Sequence, residues 1–115
     1  MIKCLAIDDD VLFLKLLKVF FEDMNSAELI STYSNPVEGI MACVKERPDV
    51  LLLDLEMPYL DGIEALETLD SPPKVIVISG HLEGTDAVQI PVDKFISKSE
   101  IKSAAFLEQA INEVL

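Results

Sequence analysis

Four groups of residues in this chain carry side chains able to do chemistry, and each follows a short strand-like run. Asp8-Asp9-Asp10 follows Cys4–Ile7, Asp54 follows Val50–Leu53, Ser79-Gly80 follows Val75–Ile78, and Ser97-Lys98 follows Lys94–Ile96. If those runs are parallel strands of one sheet, the groups meet at its carboxyl edge, where ligands of open α/β sheets bind. Crowded carboxylates repel, so either one stays protonated or a cation joins them. A hard divalent ion with oxygen ligands answers this. Magnesium fits best, because it keeps several waters, one of which a phosphoryl oxygen can replace. A nucleophilic carboxylate, a metal and a lysine in one pocket are arranged for phosphoryl transfer, where neutralising charge on the equatorial oxygens is most of the work. Asp54 is the natural nucleophile, since carboxylates form aspartyl phosphates.

The elements that must position these groups are legible. The strand candidates are Cys4–Ile7, Leu29–Thr32, Val50–Leu53, Val75–Ile78 and Lys94–Ile96. Val50–Leu53 and Val75–Ile78 are continuously apolar, as strands buried on both faces are. The first helix is expected over Asp10–Met24. Lys15, Lys18 and Glu22 form a narrow polar stripe, Phe13, Leu17, Phe20 and Met24 lie opposite it, and Val11, Leu12 and Val19 fall near the polar side. Asn35-Pro36 opens the second helix as a cap followed by proline. Val37, Ile40, Met41 and Val44 are its expected inner face, and it ends before Pro48. A short third helix is expected over Ile63–Leu69, stopped by Pro72-Pro73. Between Ser79 and Lys98 at most a short helix fits, near Thr85–Gln89, with Gly84 before it and Pro91 after it. The last helix is expected to start after Ser99, with Ile101, Ala104, Leu107, Ile111 and Val114 at helical spacing. Strands alternating with helices predict an α/β fold with a parallel sheet and right-handed crossovers.

The 115 residues suit one domain, 1–115, and half of them are hydrophobic, enough for a core without disulfides. A net charge of -12, from 21 acidic and 9 basic residues, argues against nucleic-acid binding by the domain and against anionic membrane surfaces. Cys4 and Cys43 match no zinc or redox spacing and read as buried thiols in a reducing compartment. The amino terminus is too acidic for a signal peptide, and no apolar stretch can span a bilayer. A cytoplasmic protein is expected.

The segment Asp54-Leu55-Glu56-Met57-Pro58-Tyr59-Leu60-Asp61-Gly62 resembles the signature around the phosphoacceptor of response-regulator receiver domains, and the resemblance extends over the whole chain. It implies a flavodoxin-like doubly wound five-stranded parallel sheet, (βα)5, in strand order 2-1-3-4-5, here with a shortened fourth helix. It implies Asp54 as phosphoacceptor and magnesium, or manganese, held by Asp9 and Asp54 directly, by Asp8 chiefly through water, and by the Glu56 backbone carbonyl. It further assigns Ser79, Lys98 and Phe95 to phosphoryl binding and switching. Glu56, Gly80 and His81 would control access to the phosphoryl group. Implied partners are a histidine kinase or histidine phosphotransfer protein, which would dock on Val11, Leu12 and Val19, and a downstream protein target. A dimer is compatible with the family. The chain departs from the family at Ser99, where a proline with a cis peptide bond is usual, and in the short segment between Ser79 and Lys98.

Other readings accompany these. Asp8 and Asp9 also read as acidic residues at a helix amino terminus, complementing its dipole, with Asp10 as its cap, Phe95 as core at a strand end, and Val11, Leu12 and Val19 as apolar surface. Asp8-Asp9-Asp10 also looks like the Asp-x-Asp motif of haloacid dehalogenase-type phosphatases, with Asp8 as nucleophile. A degenerate receiver acting as an unphosphorylated scaffold is the other alternative. As a stand-alone receiver, the chain would act by binding a partner or within a phosphorelay, and as an acceptor rather than an enzyme.

Overall fold

The computed structural model describes residues 1–54, 66, 69–80 and 92–115. The Met57-Pro58 and Asp61-Gly62 pairs, Glu56, His81, most of the third expected helix and the Thr85–Gln89 segment lie outside the described residues.

Strand β1 (Ile2–Ile7) leads into α1 (Val11–Glu22), then β2 (Ala27–Tyr33), α2 (Pro36–Glu46), β3 (Val50–Leu53), β4 (Lys74–Ser79), β5 (Lys94–Ser97) and α3 (Ala104–Glu113). The five strands form one sheet in the order β2-β1-β3-β4-β5, and every pairing is parallel. This is the expected topology. A register shift between Cys4 and Leu5 lets β2 carry one extra residue against β1.

The sheet is covered on both faces because alternate side chains point opposite ways. Cys4, Ala6, Val50, Leu52, Ile76, Ile78 and Ile96 face Phe13, Leu14, Leu17 and Phe21 of α1 and Leu107, Ala110 and Ile111 of α3. Leu5, Ile7, Leu51, Leu53, Val75 and Val77 face Ile40, Ala42 and Cys43 of α2, together with Leu66. Each of the large side chains among these contributes about 1.5–3 kcal/mol by leaving water. Cys4 and Cys43 are fully buried, and burial, aided by nearby carboxylates, pushes both thiols up to about 12, so neither is poised as a thiolate.

Three expectations about the helices need correction. On α1 the inner face is Phe13, Leu14, Leu17 and Phe21, with Met24 beyond it, while Phe20 is only half-buried. On α2 only Ile40 of the four expected residues is buried; Val37, Met41 and Val44 are exposed, and Gly39, Ala42 and Cys43 face the sheet instead. The cause is close approach. A Cβ built on Gly39 would lie 2.5 Å from Ile7 Cδ1 and 2.6 Å from its Cγ1, so the small side chains of α2 must be the ones turned inward. Finally, the last helix is capped by Ser103, whose hydroxyl accepts from Phe106 N at 3.1 Å, and Ser99 belongs to a preceding 3-10 turn, Lys98–Glu100.

Gly39→Ala is expected to lower stability by about 1–2 kcal/mol, overpacking outweighing the helix propensity of alanine. On an Ile7→Ala background the same methyl would fill vacated space and stabilise. Urea unfolding of the four proteins measures the coupling, and additive effects would contradict the close approach.

Candidate functional site

Strand register brings the acidic residues together. Ile7 of β1 pairs with Leu53 of β3, so Asp8 and Asp54, one residue further on, are neighbours at the carboxyl edge. The backbone fixes both: Asp54 N donates to Ile7 O at 3.0 Å and Asp8 N to Tyr33 O at 3.0 Å. Beside them β4 and β5 pair Ser79 with Ser97, which places Lys98 at the same edge.

Asp8 and Asp54 are buried, at 3% and 2% exposure, whereas Asp9 is exposed. One carboxylate oxygen from each of the three lies within 4.8 Å of the others. Asp10 serves as the N-cap of α1; its Oδ1 accepts from Leu12 N at 3.1 Å and Phe13 N at 3.2 Å. Asp8 Oδ1 accepts from Asp10 N at 2.8 Å. Acidic groups at this end of α1 also gain from the helix dipole.

Lys98 is the cation that answers them. Its Nζ lies 2.8 Å from Asp8 Oδ2 and 3.8 Å from Asp54 Oδ2. It also sits over the Phe13 ring, 4.6 Å from the centroid. Partial burial works against the Lys98 charge, but close contact with Asp8 and the charges of Asp8, Asp54 and Asp10 outweigh it. The ammonium is therefore held above its ordinary pKa. With three convergent carboxylates against the Lys98 ammonium, the all-oxygen donor set suits a hard divalent cation.

Ser79, at the end of β4, is fully buried, and Gly80 after it is exposed. Phe95 does not join the core: it is 40% exposed on β5, an edge strand. Val11, Leu12 and Val19 are exposed as expected, and Leu16 joins them on α1. Leu16 is a residue that sequence reasoning missed, although it is four positions from Leu12 and so shares its face.

The family model for the response regulator receiver domain matches residues 4–111. The chain belongs to the response regulator receiver domain family. This receiver domain is 41% identical over 78 residues to the transcriptional regulatory protein BtsR of Escherichia coli strain K12, a match covering 68% of this chain and 33% of that protein. The chain thus spans about a third of the length of the curated relatives it matches. Among solved structures it resembles the response regulator domain of Thermotoga maritima CheB, with a TM-score of 0.78 and 25% identity over 99% of this chain and 96% of that one. It also shares its fold with a chain in the crystal structure of the P1 domain of CheA3 in complex with CheY6 from R. sphaeroides, at a TM-score of 0.76 and 20% identity, covering 97% and 95% of the two chains. No helix among the described residues is long and apolar enough to cross a membrane.

Within this receiver domain the turn after β5 is built without the family's usual proline. Among the described residues no peptide bond is cis. Instead Glu100 Oε1 accepts from Ser97 N at 3.0 Å, and the hydroxyls of Ser97 and Ser99 lie 2.9 Å apart. Ser97-x-x-Glu100 is a capping-box pattern, so this device was readable in the chain.

Replacing Lys98 by Met removes the ammonium from the buried Asp8 carboxylate. With divalent ions chelated, the expected loss of stability is about 1–3 kcal/mol, less than for a fully buried pair because the Lys98 side chain retains 20% exposure. Adding Asp8→Asn should recover most of it in urea unfolding. Equal losses with and without Asp8→Asn would show that the ion pair is unimportant.

Proposed function

We propose that Asp54 accepts a phosphoryl group from a phosphohistidine on a partner protein, and that the phosphorylated domain binds a downstream protein target. The observation carrying this reading is the convergence of carboxylate oxygens from Asp8, Asp9 and Asp54 within 4.8 Å, with Lys98 Nζ 3.8 Å from Asp54.

An Asp54 carboxylate oxygen attacks phosphorus, a phosphorus–oxygen bond forms, and the phosphorus–nitrogen bond to the partner imidazole breaks; the leaving nitrogen keeps that bond's electron pair, and the proton on the other ring nitrogen leaves the imidazole neutral. Magnesium, or manganese, bound by Asp9 and Asp54, with Asp8 acting mainly through water and the Glu56 carbonyl assigned by the motif, would neutralise charge on the transferring oxygens. Lys98 supplies positive charge to the same oxygens from the opposite side, and the Ser79 hydroxyl donates to one of them. Those contacts exist only in the phosphorylated state, so they shift the equilibrium of the Ser79 loop inward. Phe95 starts from an exposed position and turns in with that loop. Gly80 leaves room at the phosphoryl group, while Glu56 and His81 hold the sequence positions whose side chains gate it in the family.

The Val11, Leu12 and Val19 face of α1, extended by Leu16, is the proposed docking surface for a histidine kinase or phosphotransfer protein. The R. sphaeroides structure, in which the P1 domain of CheA3 is in complex with CheY6, supports a protein partner of that kind. In this reading residues 1–115 form a cytoplasmic receiver unit that is an acceptor rather than an enzyme on a separate substrate.

Incubation with a small phosphodonor and magnesium is expected to add one phosphoryl group to the wild-type chain by mass, and none to Asp54→Asn. A phosphate persisting in Asp54→Asn would remove Asp54 from the role. Magnesium alone, at about 100 times its dissociation constant, should stabilise the wild type by about 2.7 kcal/mol. Asp9→Asn should weaken that gain strongly without unfolding the chain, since Asp9 is exposed. An unchanged magnesium response in Asp9→Asn would contradict its ligand role.

A further inference from the structure

Lys98 has an unusual support. Its ammonium ends a flexible four-carbon stem, and the turn that carries it is held by hydrogen bonds among exposed groups, Ser97 with Glu100 and Ser97 with Ser99. Its shortest contact is with Asp8 at 2.8 Å, a full ångström closer than Asp54 at 3.8 Å. Asp8 is one of the three carboxylates that converge to form the metal cradle. When a cation occupies that cradle, the attraction of Asp8 for Lys98 is shared, and something else must keep the ammonium beside Asp54.

Phe13 is placed to do so. Its ring face lies under Lys98 Nζ, 4.6 Å from the centroid, inside the range where the negative ring face attracts an ammonium. The ring itself cannot drift. Phe13 is 8% exposed, its backbone N donates to the Asp10 cap, and it packs among Leu14, Leu17 and the sheet. Asp8, Phe13, Leu17, Asp54 and Ile78 line one small recess, so the ring stands in the same wall as the two buried carboxylates.

We infer that Phe13 is a positioning residue, whose ring face holds the Lys98 ammonium beside Asp54 when the cation takes over Asp8. The inference rests on the proposed phosphoryl transfer for its functional consequence, but its geometry stands apart from it. Carboxylates alone would hold Lys98 wherever their summed charge is greatest. The ring adds a fixed neutral contact that the cation does not compete for.

The test uses the full chain with Phe13 replaced in turn by mono-, di- and trifluorinated phenylalanine, which keep nearly the size and apolarity of the ring while draining its negative face, and by Leu. The first readout is the proton shift of the Lys98 ε-methylene with and without magnesium. It should be displaced upfield by the ring in both wild-type states and return toward the ordinary value in Phe13→Leu. The second is the rate of labelling by a small phosphodonor with magnesium. It should fall stepwise with each fluorine, reaching about 2- to 10-fold for the trifluorinated ring and for Leu. No ring-induced shift in the magnesium-bound wild type would overturn the inference. So would a labelling rate indifferent to fluorination, because a merely structural ring would not sense its own electronics. A wild-type chain that shows the shift but takes no label would sink the phosphoryl-transfer reading and the positioning role with it, leaving only the contact.

Discussion

Two carboxylates, Asp8 and Asp54, are buried side by side at the end of a parallel sheet, and their mutual repulsion is the constraint around which this structure is organised. At separations near those seen here, like charges repel by roughly 3–4 kcal/mol at an effective dielectric of about 20. The pairing of Ile7 with Leu53 sets their adjacency, since slipping the register by one residue would exchange the side chains packed under α1 and α3 with those packed under α2. Repulsion enforced by the core must therefore be offset by groups brought in from elsewhere. The amino-terminal end of α1 supplies the Asp10 backbone N–H, and the turn after β5 supplies the Lys98 ammonium.

That arrangement explains how a rigid fold can hold a responsive site. The strands β1, β3 and β4 are apolar on both faces and define fixed anchor points for Asp8, Asp54 and Ser79. The compensating charge rides on a long side chain, which can redistribute among its partners without disturbing the core. In the proposed function, a cation or a phosphoryl group on Asp54 would change the local charge by an amount comparable with that of Lys98 itself. Such a change would act on the edge of the sheet while the interior stays packed.

Much of this was legible in the sequence because strands and charges leave strong local signals. Continuous runs such as Val50–Leu53 identify doubly buried strands, and the observed strands differ from their expected limits mainly by short extensions such as Ile2 and Ala27. Asp8, Asp9, Asp54, Ser79 and Lys98 could all be assigned to the carboxyl edge because each lies just past an apolar run. The inner face of α2 is harder to read. Bulk is the usual mark of burial, whereas Gly39 and Ala42 are dictated by the short distance between helix and sheet. Ser99 reads as the cap of the last helix, but Ile101 is buried with an extended backbone, so the helix begins only after Ser103. The meeting of Lys98 with Phe13 left no local trace. It depends on how two distant side chains lie once the sheet has closed.

In the proposed function, Asp8, Asp9 and Asp54 act as one cation site. Titration of the isotopically labelled chain with a substoichiometric paramagnetic manganese ion tests it most directly, because relaxation enhancement falls steeply with distance from the ion. Selective broadening of the amides of Asp8, Asp9, Asp54 and their strand-end neighbours, abolished by excess magnesium, is the predicted result. Broadening spread over surface carboxylates such as Glu22, Glu28 and Glu38, with the strand ends spared, would contradict it.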